Sequence, residues 1–238
     1  MTLIRPKDFA IELDKRRLLK SGGLALTAVG LATSPIAALA DEDKDEPEVT
    51  PPEDLMREHG VLDRCLLVYE ACIGKFSAKV DFDPAIISRT ATIVRDFIEN
   101  YHEHSEEQAV FPRFKRAGKL VALVDTLVAQ HEAGRRVTAA ILKAAPGSRS
   151  DGDERRQVVD GIRSFIRMYR PHAAREDTEL FPLLRKIVSP HEFDAMAEDF
   201  EKQEHQMFGD DGFEMMVHRV AALEQQIGIA DLAQFTPR

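Results

Sequence analysis

One motif occurs twice in this chain, and its repetition constrains the fold more than any other feature. The pattern H-x-x-x-E-x-x-x-x-F-P spans residues 102–112 and again 172–182. Each copy follows an earlier histidine: His59 precedes the first motif by 43 residues, and His131 precedes the second by 41. The spacing predicts two copies of one unit, in which a helix with a single histidine precedes a helix with His-x-x-x-Glu.

Apolar residues recur at three- and four-residue intervals through most of the chain, which is typical of amphipathic helices. Turn-forming stretches rich in Gly, Pro and Asp separate five such segments. We predict helices over 52–77, 84–116, 118–144, 153–188 and 191–228. The first four are long and joined by short loops. The predicted fold class is therefore all-α, an up-down-up-down four-helix bundle with an additional C-terminal helix.

Helix geometry predicts that the repeated histidines and glutamates face one another. Each residue turns the helix by about 100°, and at that angle each of the four histidines lies within the apolar stripe of its helix. Each glutamate follows its histidine by one turn, about 40° away around the axis. The side chains that this pattern directs into the core are His59, His102, Glu106, His131, His172 and Glu176.

Six polar side chains in one core indicate bound cations. One histidine on an apolar face is more often a hydrogen-bonded core residue, but an unpaired buried carboxylate is strongly destabilising, and this pattern buries two. Imidazole nitrogen and carboxylate oxygen, without thiolate, suit iron, manganese or zinc. Because six ligands exceed the four of a structural zinc site, the set predicts a two-metal centre.

These residues resemble the hemerythrin-like (HHE cation-binding) domain. The resemblance covers 53–186 and includes Glu-Glu-x-x-x-Phe-Pro, which ends at Pro112, and the stretch Gln-His-Glu-Ala-Gly-Arg around His131. It implies a four-helix bundle that holds a non-haem di-iron centre, with two Fe ions as the cofactor. It also implies that the six residues named above are the iron ligands and that the two glutamates bridge the metals.

One position departs from the oxygen-carrying members of that family. Those proteins have a fifth histidine one turn after the histidine of the third helix, and this chain has Arg135 there. We interpret Arg135 as a charge partner for a carboxylate; binding of an anionic ligand is the alternative. The resemblance then implies a symmetric, open site, which favours redox chemistry with O2, peroxide or NO over reversible oxygen carriage.

The sequence leaves three functions open. The first is a protein that binds or senses O2 or NO, the second is an oxidoreductase that consumes peroxide or NO, and the third is metal storage. In the first two, the expected partner is a small diatomic or peroxide ligand. The net charge of −9 argues against a nucleic-acid partner. The oligomeric state is not predicted.

The N-terminal residues have the composition of an export signal. A basic cluster that includes Lys15, Arg16 and Arg17 precedes an uncharged stretch of Gly, Ala and Leu, which closes on a small-x-small cleavage site at 38–40. The cluster resembles a twin-arginine signal. We expect an exported, periplasmic protein without stable membrane insertion once the signal is cleaved. An uncleaved anchor is the alternative, since about twenty apolar residues span a bilayer.

The expected organisation has four parts. Residues 1–40 form the export signal, 41–52 an acidic, proline-containing linker, 53–188 the four-helix bundle and 189–238 a C-terminal helical extension.

A few other residues are assigned structural roles. We expect Cys65 and Cys72 to pack in the core without a disulfide, because seven helical residues separate them by about 10 Å. Tyr69 and Tyr169 lie near the histidine faces and are expected to donate hydrogen bonds to the site. The remaining predictions are that His104, His191, His205 and His218 are not ligands, that Pro112 and Pro182 bend or end their helices, and that Pro171 kinks the fourth helix.

Overall fold

The computed structural model describes residues 49–209 and 212–237. The expected signal, 1–40, lies outside the described residues, as does most of the expected linker, 41–52. All regular secondary structure within 49–209 and 212–237 is helical, so the predicted all-α class is confirmed. None of the helices in this part of the chain is both long enough and apolar enough to cross a membrane.

Six helices make up the described chain. Two of them, α2 and α4, are continuous runs in which α-helical and π-helical turns alternate. The helices are α1 (Pro51–Ser77), α2 (85–117), α3 (Val121–Ala144), α4 (152–187), α5 (Pro190–Phe208) and α6 (Gly212–Ile227), with short 3₁₀ turns at Ala145–Gly147 and Leu232–Phe235.

The termini of these helices follow local chemistry. Thr50 caps α1, and Asp151 caps α4 by accepting hydrogen bonds from backbone N–H groups of the first turn. Ser189 and Glu192 form a reciprocal capping box at the start of α5. Leu120 has a left-handed backbone, so α3 begins at residue 121 and not at the predicted 118.

The predicted last segment, 191–228, is two helices. The first ends at Phe208, and Gly209 follows with φ of 87°, a conformation that glycine adopts without strain. The second helix begins at Gly212. The extension therefore packs against the bundle as two separate helices, α5 and α6.

Consecutive long helices run in opposite directions. Between α3 and α4, Gln130 contacts His172, while Gly134 lies against Tyr169 further along. Residue numbers in these contacts rise along α3 while they fall along α4, so the two helices are antiparallel. The connecting loops are also too short for a crossover, as expected for an up-and-down bundle.

The apolar core consists of two clusters, with the predicted site between them. On α4, Tyr169 belongs to the first cluster and Leu180 to the second, and residues 172–176 lie between. The same order holds on the other three long helices. The C-terminal helices complete both clusters: α6 contributes Val220 to the first, and α5 contributes Phe200 to the second.

Candidate metal centre

Each repeated motif contains a π-helical turn that begins at its glutamate. These turns are Glu106–Val110 and Glu176–Leu180, and in each the N–H of the following phenylalanine donates to the carbonyl of the glutamate. Single π-turns of this kind often mark functional sites. The doubled sequence thus gives a π-turn twice, at the same place relative to a buried carboxylate, while α2 has a further π-helical segment, Val94–His102, that α4 lacks.

Of the two outcomes predicted for the motif prolines, a bend or an end of the helix, the structure contradicts the second. After Pro112 the chain stays helical to Ala117, and after Pro182 it stays helical to Ile187. Each proline lies just after a π-helical turn, at the second residue of the α-helical segment that continues the helix. Pro171 lies inside an α-helical segment, Gly152–Arg175, as predicted, and a kink at this proline stays a prediction.

The phenylalanine of each motif covers a histidine of the other half of the chain. The Phe181 ring stacks on His59 with centroids 5.7 Å apart, and Phe111 stacks on His131 at 5.5 Å. The interplanar angle is 26° in both cases. This close match between halves indicates that the repeat is structural as well as sequential.

The structure brings the six predicted side chains together in one buried cage. Each of them is at most 3% exposed. Glu176 lies between two histidines, with its Oε2 3.3 Å from His59 Nε2 and 3.1 Å from His172 Nε2. Glu106 does the same for the other two, with its Oε2 3.6 Å from His102 Nε2 and 3.5 Å from His131 Nε2.

The four histidines form two pairs, each with ligand atoms close enough to share one cation. The first pair is His59 and His102, whose rings are 4.6 Å apart, and the second is His131 and His172, at 4.9 Å. With an oxygen of Glu176, the candidate ligand atoms of either pair lie within 4.8 Å of one another. Because each glutamate contacts one histidine of each pair, both are placed to bridge.

Every outer ring nitrogen in the cage has a hydrogen-bond partner, which fixes each imidazole so that Nε2 faces inward. A carboxylate or amide oxygen accepts from each Nδ1–H, an arrangement typical of metal-binding histidines. The four contacts are His59 to Asp177 at 2.8 Å, His102 to Glu58 at 2.6 Å, His131 to Glu107 at 2.9 Å and His172 to Gln130 at 2.9 Å.

The chemistry of the inner atoms fits a cation. The four carboxylate oxygens of Glu106 and Glu176 are buried and, among the described residues, have no hydrogen-bond partner. Buried carboxylate oxygens without donors are strongly unfavourable unless a positive charge offsets them. Facing them are the Nε2 atoms of the four histidines, which offer lone pairs when the rings are neutral. These groups together are the ligands that iron, manganese and zinc accept.

The family model of the Hemerythrin HHE cation binding domain matches residues 50–184. The chain belongs to this family. Uncharacterized proteins of Mycobacterium tuberculosis and Mycobacterium bovis are each 46% identical to it over 193 residues, which cover 81% of this chain and 76% of the relative. No solved structure matches the chain.

In the metal-free hemerythrin domain, burial and mutual contacts shift the protonation of the cage. Burial and the nearby charge of Glu176 raise the pKa of Glu106 well above its ordinary value. Burial acts in the same direction on Glu176, but His172 and His59 outweigh it and lower the pKa of that carboxyl. Burial lowers the pKa of His59, yet its hydrogen bond to Asp177 and the nearby negative charge of Glu176 prevail and raise that pKa to about 9. Metal binding therefore has to displace protons.

Arg135 is a charge partner of carboxylates, as the favoured sequence interpretation has it. Its Nη2 lies 2.9 Å from Glu103 Oε2 and 2.8 Å from Glu107 Oε1. Glu107 also accepts from His131, so Arg135 is one step removed from the cage. Glu103, fully buried, was not identified from the sequence, although it directly follows His102.

The two tyrosines differ in their relation to the site. Tyr169 lies beside His172, with ring centroids 5.3 Å apart, and its hydroxyl donates to Glu103. Tyr69 packs edge-on against Phe165, and its hydroxyl has no hydrogen-bond partner among the described residues, contrary to the expectation from its helical position.

The burial of the two cysteines and the exposure of the four remaining histidines agree with their sequence assignments. Cys65 and Cys72 are buried free thiols, and burial raises the pKa of each to about 12. The histidines excluded from the ligand set lie on the exposed surface, away from the cage: His104, His191, His205 and His218.

Proposed function

We propose that this hemerythrin domain holds two iron ions and binds O2 or NO at them. One observation carries the proposal: four buried carboxylate oxygens without hydrogen-bond partners among the described residues share one cage with four inward imidazole nitrogens. Oxygen and nitrogen ligands without thiolate are the set that non-haem iron uses. Two ions are proposed, because the histidines divide into two pairs and each glutamate contacts both.

The ligand set leaves room for an exogenous molecule. Two histidines and two shared carboxylates do not fill the coordination sphere of either iron, and bound iron would supply open positions for a small ligand. Arg135, which stands where oxygen carriers have a fifth histidine, is held by Glu103 and Glu107 and offers no nitrogen lone pair. Both metals are then expected to stay accessible.

The surroundings of the cage favour a small, uncharged ligand. Phe111 and Phe181 stack on histidines of the cage, and the two apolar clusters close it on either side. A charged substrate would lose its hydration on entering such surroundings. A diatomic molecule fits these conditions, and peroxide in its neutral form is the alternative.

The test is metal analysis of the purified protein, followed by separate addition of O2, NO and peroxide. We expect two iron atoms per chain, and a change in the visible spectrum of the reduced protein on mixing with O2 or NO. Rapid turnover of added peroxide without a lasting adduct would support the oxidoreductase instead. One zinc and no iron, in protein produced with iron available, would contradict the di-iron proposal.

We also propose that the protein is exported to the periplasm through a signal in residues 1–40. The support is the sequence of that segment, with Lys15, Arg16 and Arg17 before an uncharged stretch. Export in the folded state would let the cage fill before the protein meets competing metals. Replacing the three basic residues by Gln should leave the precursor in the cytoplasm, and normal export of that variant would overturn the route.

A further inference from the structure

The two halves of the cage differ most clearly at one outer contact. Glu58, which precedes the histidine of α1, accepts from His102 of α2. The equivalent residue of the second half, Gln130, precedes the histidine of α3 and accepts from His172 of α4. The repeat therefore places a carboxylate and an amide at matching positions, 2.6 Å and 2.9 Å from their imidazoles.

This difference gives the two histidine pairs unequal outer partners. Both histidines of the first pair donate to carboxylates, Glu58 and Asp177. In the second pair one partner is the amide of Gln130, and the other, Glu107, also forms an ion pair with Arg135 at 2.8 Å. Glu103 is a further buried carboxylate near His131, but Arg135 pairs with both Glu103 and Glu107. The second pair therefore has one fewer carboxylate bonded directly to an imidazole, and a guanidinium beside the carboxylates that remain.

A carboxylate behind an imidazole strengthens it as a metal ligand. It polarises the Nδ1–H bond and raises electron density at the opposite nitrogen, whereas a neutral amide oxygen does so only weakly. Replacing such outer partners changes metal affinity by roughly 10- to 100-fold. The effect is largest where water does not screen the charge.

Water screens the contact between Glu58 and His102 less than any other outer contact. Burial also raises the pKa of Glu58 well above its ordinary value, so the anionic carboxylate is favoured only when a cation binds beside it. Glu58 is 2% exposed, the lowest exposure among the four outer partners. Helix α5 covers this corner, where Tyr101 donates to the carbonyl of Phe200 at 3.5 Å. Asp177, by contrast, has a side chain that is 36% exposed.

We propose that Glu58 makes the His59/His102 position the tighter of the two metal sites, so that it fills first. The inference rests on the proposed two-metal centre and deepens it, since it assigns an order and a determinant to the two ions. Gln130 is the matching determinant that keeps the second position weaker.

The test is a titration of the metal-free protein with Co²⁺ alone, followed by the visible absorption of the bound ion. Cobalt reports each binding event without requiring O2 or NO. We expect two steps in the wild-type chain. Repulsion between the two ions contributes a similar factor in every variant, so changes in the ratio of the two dissociation constants report the asymmetry of the sites.

Three variants isolate that asymmetry. Glu58→Gln should weaken the first step and reduce the ratio by about tenfold or more. Gln130→Glu should strengthen the second step and also reduce the ratio. The exchange of both, Glu58→Gln with Gln130→Glu, should restore the ratio with the order of filling reversed.

Variants with one histidine pair removed identify the position directly. The chain with both His131 and His172 changed to Ala should bind Co²⁺ about tenfold more tightly than the chain with His59 and His102 changed to Ala. Glu58→Gln should weaken only the former. Two bound ions with a ratio unchanged by Glu58→Gln would overturn the inference alone, whereas uptake of fewer than two ions by the wild-type chain would contradict the two-metal proposal itself.

Discussion

Gly134 is the residue that lets Tyr169 reach into the bundle. A Cβ added at Gly134 would lie 2.1 Å from the Tyr169 hydroxyl oxygen and 2.8 Å from the carbon that bears it. That hydroxyl donates to the buried Glu103, so the absence of a side chain on α3 makes room for a hydrogen bond between α4 and α2. A glycine inside a helix lowers stability by about 0.5–1 kcal/mol relative to alanine, and here it makes room for an internal contact.

Gly134→Ala is therefore expected to destabilise the protein, by about 1–3 kcal/mol, because the methyl group overlaps a buried aromatic side chain. The matched control is Gly74→Ala, where an added Cβ meets no atom within 4 Å. That change should stabilise the protein by about 0.5–1 kcal/mol through helix propensity. Urea unfolding of both variants is the measurement. Equal effects from the two changes would contradict the steric argument.

The second prediction concerns the bridging carboxylates. Glu176→Gln replaces an anionic oxygen that faces both histidine pairs, so we expect the iron content to fall from two ions to one or fewer per chain. The control is Glu179→Gln on the same helix, a residue that pairs with Arg175 at the surface. It should keep its full metal content. Elemental analysis after purification compares the two, and full occupancy in Glu176→Gln would show that the carboxylate is not a ligand.

A third prediction follows from the buried acids near the cage. Burial, with the charge of Glu103, raises the pKa of Glu99 to about 7 from the ordinary 4.5. The pKa of Glu99 is higher in the folded state than in the unfolded state. The contribution of Glu99 to the free energy of unfolding is therefore fully present below pH 4.5 and is lost as pH rises through about 7. In the metal-free protein, Glu99→Gln should reduce the fall in unfolding free energy between about pH 5 and 8, by up to about 3 kcal/mol.

Thermal and urea unfolding across that pH range give the measurement, with Glu70→Gln as a control, since Glu70 lies on the surface in an ion pair with Arg170. The control should leave the pH dependence as it is in the wild type. A slope unaffected by Glu99→Gln would mean that Glu99 titrates at its ordinary pKa in the folded chain.

The sequence predicts the inward-facing residues of this fold better than the residues that support them. A period of 3.6 residues fixes which face of a helix is apolar, so the histidines could be placed before any packing was known. Glu58 and Gln130 lie about 100° from their histidine neighbours, on flanks where polar residues are common in any helix. Only the packing of the adjacent helix brings them to an imidazole nitrogen, and the pattern of one helix contains no information about that.

The backbone irregularities were missed for a different reason. The π-turns at Glu106 and Glu176 insert one residue into a helix without interrupting its apolar stripe, so the periodicity hardly changes. The break after Phe208 was visible as turn chemistry, since Gly209 and Gly212 enclose two aspartates. A continuous apolar pattern on both sides of it led to the prediction of a single helix.

The last prediction tests Arg135 as a bridge between carboxylates. Glu103 is fully buried, and Arg135 is the cation beside it, while its second contact holds Glu107 against His131. Arg135→Gln leaves the Glu103 carboxylate without its cation, so we expect a loss of about 1–3 kcal/mol. This range lies below that of fully buried pairs because the arginine side chain is 34% exposed.

A double-mutant cycle separates this pairing from simple packing. Glu103→Gln should restore part of the stability lost in Arg135→Gln, because removing the buried charge removes the need for its partner. Arg135→Lys should recover less than full stability, since one ammonium does not span both carboxylates as the planar guanidinium does. Urea unfolding gives the coupling energy, and Co²⁺ affinity is measured in parallel. Additive effects of the two single changes would show that Arg135 does not stabilise the bundle through Glu103.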